Sequence, residues 1–246
     1  MKILITGASS GIGYEISKEL ISEKHKLVLH YNKNKKKLEP LLTKNTHTVS
    51  QDLSSSLGAQ QLYEQTIDHF GFPDVLINNA GIAISSSVST DADIWNSSWN
   101  KTLNLNLAAP AYLSKCFINM KRNKNIHSRF RIINISSRAA FRGETEDYIS
   151  YACSKGGMVS LTKTIARSFG KKDNVLAFTI APGFVKTEMI KDFLNKEGED
   201  YVKKGIVLDR LTEPKDISPV ISLIVSGKLD HATGSTIDIN GGSYLR

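Results

Sequence analysis

The sequence predicts an α/β protein, a doubly wound parallel sheet of about seven strands with helices on both faces. Three observations carry that expectation. Short aliphatic and β-branched runs recur along the chain, each reading as a strand buried on both sides, and helix-periodic stretches separate them. Strand and helix alternate throughout, the pattern of a parallel sheet covered front and back. Several runs end in glycine, asparagine or serine, residue types that can hold a ligand or close a turn at the carboxyl ends of such strands.

With 246 residues and no repeat, low-complexity tract or linker, the chain reads as one domain spanning 1–246. Its 40% hydrophobic and 23% charged residues are those of an ordinary soluble protein. No apolar run approaches ~18 residues, so no membrane partner is expected. The N-terminus enters a strand pattern at once, without signal-peptide architecture. Cys116 and Cys153 are two cysteines in helical contexts, which fits a reducing, cytoplasmic setting. A formal charge of +8 raises nucleic acid as a partner. The lysines and arginines are scattered, however, with no aromatic-interleaved basic platform, so none is expected. No residue is assigned to a metal.

Residues 2–6 form the first strand. Gly7-Ala8-Ser9-Ser10-Gly11-Ile12-Gly13 follows, then a helix with apolar positions Ile12, Ile16, Leu20 and Ile21. Strand, glycine-rich turn and helix in that order make a Rossmann-type phosphate site. Glycines let the backbone approach a pyrophosphate, and the helix N-terminus favours an anion. Lys26 to His30 is the second strand. At its end Tyr31-Asn32-Lys33 offers no carboxylate for a ribose 2′-hydroxyl, and Lys33 suits a 2′-phosphate, which favours NADP(H) over NAD(H). A helix is expected over 34–44, a third strand over Val49 to Leu53 with Asp52 at its carboxyl end, and a helix carrying Leu57, Leu62, Ile67 and Phe70. Asp74 to Ile77 is the fourth strand, ending in Asn78-Asn79-Ala80-Gly81.

Trp95 to Met120 reads as one long helix or two abutting ones, with Asn106 inside the apolar run Leu103 to Leu107. Taken alone, that amide reads as a structural hydrogen-bonder. Arg131 to Ile135 is the fifth strand, closed by Ser136-Ser137, and 138–149 is expected to be loop. Ser150 is the expected N-cap of a helix in which Tyr151 and Lys155 lie one turn apart on one face. A free phenol titrates near ~10, and an ammonium about 4–6 Å away favours the phenolate, making the pair a usable acid/base. Asn174 to Ile180 is the sixth strand, followed by Ala181-Pro182-Gly183-Phe184. Residues 188–210 read as a flap over the site, Pro214 to Ser226 as a helix and Thr236 to Ile239 as the seventh strand.

Thr6-Gly7-Ala8-Ser9-Ser10-Gly11-Ile12-Gly13, Asn78-Asn79-Ala80-Gly81, Ser137, Tyr151-x-x-x-Lys155 and Pro182-Gly183 stand in one order. In that order the chain resembles the short-chain dehydrogenases/reductases. The resemblance runs from Met1 to Arg246 and includes Arg210-Leu211-x-x-Pro214, Thr233-Gly234 and Asn240-Gly241-Gly242. It implies that Tyr151 is the acid/base, that Lys155 lowers its pKa and holds the nicotinamide ribose, and that Ser137 bonds the substrate oxygen. Asn106, seven positions after Trp99 as in the family's W-x6-N-L, would anchor a water in the proton path. Thr6, Ser10, Gly11, Ile12 and Gly13, with Gly7 and Ser9 in the same turn, would cradle the pyrophosphate. Asp52 and Leu53 would face adenine. Asn79, with Ala80 and Gly81, would meet the ribose, and Val185 and Thr187, after Pro182 and Gly183, the carboxamide side. Arg138 departs from the family pattern, a bulky charge where small apolar residues are common.

Among subfamilies the chain looks most like 3-oxoacyl-(acyl-carrier-protein) reductases of fatty acid synthesis. That implies NADPH-dependent reduction of a carbonyl and a homotetramer. An acidic carrier protein could dock on Arg129, Arg131, Arg167, Lys171 and Lys172. The competing readings are a reductase of another small alcohol or ketone, and a non-catalytic dinucleotide-binding module.

Overall fold

The computed structural model describes every residue except Ser56, and only the backbone of Glu197. In chain order the elements are β1 (Lys2–Ile5), α1 (Gly11–Ser22), β2 (Lys26–Tyr31), β3 (Thr46–Ser50), α2 (Gly58–Phe70) and β4 (Val75–Asn78). They continue with α3 (Ala92–Leu103), α4 (Ala109–Asn123), β5 (Phe130–Ile135), α5 (Ala139–Arg142), α6 (Ile149–Asp173) and β6 (Val175–Pro182). The chain closes with α7 (Lys191–Glu197), α8 (Glu199–Lys203), α9 (Pro214–Val225) and β7 (Thr236–Ile239).

All strand pairings are parallel, in the order β3-β2-β1-β4-β5-β6-β7. Alternate side chains of each strand enter opposite faces, which splits the interior in two. On one face Ile3, Ile5, Leu27, Leu29, Ile77 and Phe178 pack under α1 and α9. On the other Leu4, Val28, Leu76, Ile132 and Phe130 pack under α2, α4 and α6. Because the order reverses between β1 and β4, their carboxyl ends open a crevice, and the two loops that leave them form its walls. Helix ends follow local chemistry. Asp91 caps α3 by accepting from the Asp93 and Ile94 amides, and Glu213 and Asp216 form a reciprocal box at the start of α9. Asn174 ends α6 in the left-handed conformation.

The structure moves several expected boundaries. The third strand lies at Thr46–Ser50, earlier than expected, and leaves Asp52 and Leu53 in the loop beyond it. It is an edge strand whose polar outer face hides the apolar signal. The helix expected over 34–44 is a 3-10 turn at Lys35–Leu41 interrupted by Pro40, which has no amide to give a longer ladder. Leu57 precedes α2 and is exposed rather than packed. The loop expected over 138–149 contains α5 and a 3-10 turn at Glu146–Tyr148. Ser150 lies inside α6; Tyr148 holds the cap position and makes no side-chain cap bond. The flap segment carries a 3-10 turn at Glu188–Ile190 and then α7 and α8.

Candidate active site

The crevice is built around the glycine-rich turn. Gly7 adopts φ +67, a conformation that favours glycine, and its amide donates 3.1 Å to His30 Nδ1. His30 Nε2 in turn donates 3.0 Å to the Gln51 carbonyl. Holding one donor and one acceptor role keeps the imidazole neutral, and burial pushes its pKa down to about 4. His30 was not among the residues expected from sequence, since a histidine in a strand carries no local signal of the turn it supports. The unfolded chain therefore binds more protons than the folded one between about pH 4 and 6.5. Stability from this site is complete above the upper limit and lost as pH falls through the window. The pH 7 to pH 4 difference in unfolding free energy, measured by urea titration, should exceed that of His30→Gln by about 3 kcal/mol.

Thr6 and Asn79 clamp the turn to the end of β4. The Thr6 hydroxyl accepts from the amides of Asn79 (2.9 Å) and Ala80 (3.0 Å), and Asn79 Nδ2 donates to the carbonyls of Thr6 (2.9 Å) and Gly7 (3.0 Å). Thr6 is buried and its hydroxyl is committed, so the structure gives it support of the turn instead of a place on a phosphate. Asn79 keeps only its carbonyl oxygen for another partner. Ser10 precedes α1 without a side-chain cap bond, leaving the first-turn amides facing outward. A cavity of about 340 Å³ opens there, lined by Ser9, Ser10, Gly11, Tyr14, Lys37 and Glu188. Lys37 pairs with Glu188 at 2.7 Å across it, a contact between segments 151 positions apart that no local pattern announces.

The residues expected to meet an adenosine are more scattered. Tyr31 is partly buried at the end of β2, and Asn32 and Lys33 are exposed beside it. The Asp52 carboxylate accepts from the Ser54 amide and hydroxyl, and these bonds, then Lys101 and Lys33, hold it below its ordinary pKa. Leu53 is 3% exposed and packs in the core, so its side chain does not face the crevice. Val185 is likewise a core residue, bridged to Thr212. Thr187 does reach the glycine turn. A Cβ added at Gly11 would meet its methyl at 3.0 Å.

Ser137, Tyr151 and Lys155, the residues expected to react, gather where β5 meets α6. Ser136 donates 2.8 Å to the Lys155 carbonyl and is buried, which leaves Ser137 as the serine that faces Tyr151. The Lys155 ammonium donates 2.9 Å to the Ile135 carbonyl and sits 5.7 Å from the Tyr151 ring centroid. Burial lowers Lys155 to about 8. Burial also pushes the Tyr151 phenol up, while the Ser137 hydroxyl pulls it back. The expected lowering by Lys155 is therefore not the controlling influence in this geometry; desolvation is. Asn106 stands in a π-helical turn at Asn104–Ala108, between α3 and α4. Its amide donates to the Ile82 carbonyl (2.9 Å) and Ser154 Oγ (3.0 Å) and accepts from the Ile82 amide (2.9 Å). It pins the β4 loop to α6. Gly81 lies between the two, where a Cβ would come 3.3 Å from both Asn106 Oδ1 and Lys155 Nζ. Pro182 and Gly183 border the same region. The Pro182 carbonyl accepts from the Arg138 amide at 3.0 Å, and Gly183 packs on Asn240.

A family model described as "Enoyl-(Acyl carrier protein) reductase" matches residues 7–244. The chain belongs to the short-chain dehydrogenase/reductase family. Curated relatives in that family include the 3-oxoacyl-(acyl-carrier-protein) reductases FabG of Staphylococcus epidermidis, 27% identical over 98% of each chain. That of Buchnera aphidicola is 30% identical, covering 98% of this chain and 96% of its own. Among solved structures, 4-hydroxyisoleucine dehydrogenase complexed with NADH superposes with TM-score 0.88 at 30% identity over 98% of each chain. A structure of that dehydrogenase with NADH and succinate gives TM-score 0.85. The chain is an NAD(P)-dependent short-chain dehydrogenase/reductase. Of the basic residues expected to receive an acidic partner, two are already engaged. Arg131 is buried and grips Asp230 at 2.7 and 2.8 Å, and Arg129 joins the same carboxylate at 2.5 Å. Among the described residues no helix is long and apolar enough to cross a membrane.

Proposed function

We propose that the chain reduces a ketone to an alcohol with NADPH, Tyr151 serving as the acid/base. The observation that carries this reading is the convergence of Ser137, Tyr151 and Lys155 at the end of β5, across the crevice from an uncapped helix N-terminus. A bound reduced nicotinamide supplies hydride, two electrons with one proton, to the carbonyl carbon. Ser137 and Tyr151 hold the carbonyl oxygen, and Tyr151 gives it the second proton as negative charge develops there. Lys155 keeps positive charge beside the phenol, and Asn106 fixes the helix that carries both. The amides of Ser10, Gly11, Ile12 and Gly13 suit a pyrophosphate, with Ser9 and Thr187 at its edge.

The absence of a carboxylate after β2 supports NADP(H), with Lys33 meeting the 2′-phosphate. The solved dehydrogenases hold NADH, which keeps NAD(H) as the competing cofactor. Lys33→Glu should lower kcat/KM for NADPH by about tenfold or more relative to NADH, read from initial rates with both cofactors. An unchanged ratio would move the phosphate contact elsewhere, Lys37 being the next cation on that edge.

The names of the curated relatives support a 3-oxoacyl carrier thioester as substrate, in a cytoplasmic homotetramer acting as one domain over 1–246. Arg138 favours a second class, taken up below. Both are tested by following absorbance of the reduced nicotinamide with acetoacetyl thioesters and free oxo acids. No turnover with any activated ketone overturns the reading, and a monomer by light scattering overturns the tetramer.

A further inference from the structure

Arg138 follows Ser137 directly and is 6% exposed. Among the described residues no carboxylate, carbonyl or hydroxyl accepts from its guanidinium. Its carbon lies 4.5 Å over the ring of Phe184, which itself stacks on Phe193 of α7 at 5.2 Å. Arg142, four residues on, repels it and is bound to Glu144 at 3.1 Å. Arg138 is the N-cap of α5, and α5 packs against α6, the helix that carries Tyr151, which places the two in one locale.

That arrangement is costly as it stands. A charge drawn largely out of water loses part of its hydration, and an aromatic face returns only part of that loss. The chain shows what a satisfied buried arginine looks like. Arg131, 7% exposed, has both arms on Asp230. Arg138 has the same planar fork and no such acceptor, and it stands at the reacting end of the crevice. The missing acceptor is one that a substrate brings.

We propose that Arg138 receives a carboxylate of the substrate, so that the enzyme interconverts a short oxo acid and its hydroxy acid. This rests on the Tyr151 reading of the site and narrows it. Arg138 caps α5, which packs against the Tyr151 helix α6, so an anion it meets must belong to a substrate short enough to reach both. A free carboxylate satisfies that distance, whereas the phosphate of a carrier-bound arm is many bonds from its ketone. A bidentate fork also fixes the plane of the acid, which orients the neighbouring carbonyl toward Ser137 and Tyr151.

Matched pairs test it. Acetoacetate and its methyl ester differ in one charge, and the wild type should favour the acid by about a hundredfold in kcat/KM. Arg138→Gln should collapse that acid-to-ester ratio by a similar factor, and Arg138→Lys should recover part of it. Since the native cation lacks a partner, Arg138→Gln should unfold at or above the wild-type temperature, which separates lost recognition from lost structure. Calorimetry with succinate, a dicarboxylate with no ketone to reduce, reads the same site without turnover. Binding should be seen with wild type and lost in Arg138→Gln. Equal or better use of the ester or of acetoacetyl thioester by wild type overturns the proposal, as does an Arg138→Gln ratio that does not move or a wild type that fails to bind succinate. Succinate binding that depends on Arg138, with no ketone reduced at all, supports the anion site and sinks the reductase reading instead.

Discussion

Tyr151→Phe should lower kcat by about a hundredfold to ten-thousandfold while leaving dinucleotide affinity within a few-fold. Tyr151 is half-buried and its phenol faces Ser137, and the ring itself stays in place when only its oxygen is removed. Ser137 is a neutral hydroxyl, a far weaker proton donor than a phenol, and its oxygen is held in place by the Ala139 amide at 3.1 Å. Burial holds the Tyr151 proton on, so the tyrosine suits the donor's role in reduction. Rapid-quench or steady-state rates with a reducible ketone, beside a fluorescence titration of the cofactor, separate chemistry from binding. A kcat that stays within tenfold would take the proton transfer away from Tyr151, whereas cofactor binding with no turnover by the wild type would favour the non-catalytic binding module.

Gly13→Ala is expected to be destabilising by about 3 kcal/mol or more, against the sign of helix propensity. An alanine in a helix is ordinarily better than glycine by roughly 1 kcal/mol. Here the added Cβ would sit 2.3 Å from the Gly7 carbonyl and 2.4 Å from Asn79 Nδ2. Both belong to the clamp that holds the glycine turn against β4, and neither can retreat without breaking it. Overpacking of this kind costs typically 1–3 kcal/mol, and backbone is a less forgiving neighbour than a side-chain tip. The melting temperature should fall by roughly 6–12 °C, with cofactor affinity lost as the turn shifts. A variant as stable as the wild type would mean that the turn relaxes freely.

The sheet and its ligand edge were legible because aliphatic runs such as Lys2–Ile5 and Val75–Asn78 are buried on both faces and leave no competing period. Helical spacing put Tyr151 and Lys155 on one face of α6, and only the other motifs in register gave that pair its meaning. What escaped was anything decided by distant chain. His30 under Gly7, Lys37 against Glu188, and Arg131 on Asp230 join segments whose separation carries no sequence pattern. Leu53 and Val185 were expected at the crevice by register with a family, and their side chains turn into the core instead. Asn106 was open to both a structural and a catalytic reading. The π turn and its three bonds make it the pin between two walls.

That pinning has an evolutionary corollary. Ser136, Asn106 and the Ile135 carbonyl lock the first turns of α6 from one side, whereas Arg138, Phe184 and Phe193 approach from the other and share none of those bonds. Substitutions among the latter can retune which molecule is accepted without loosening the groups that move the proton. A lineage can thus exchange one metabolite for another while inheriting its chemistry intact.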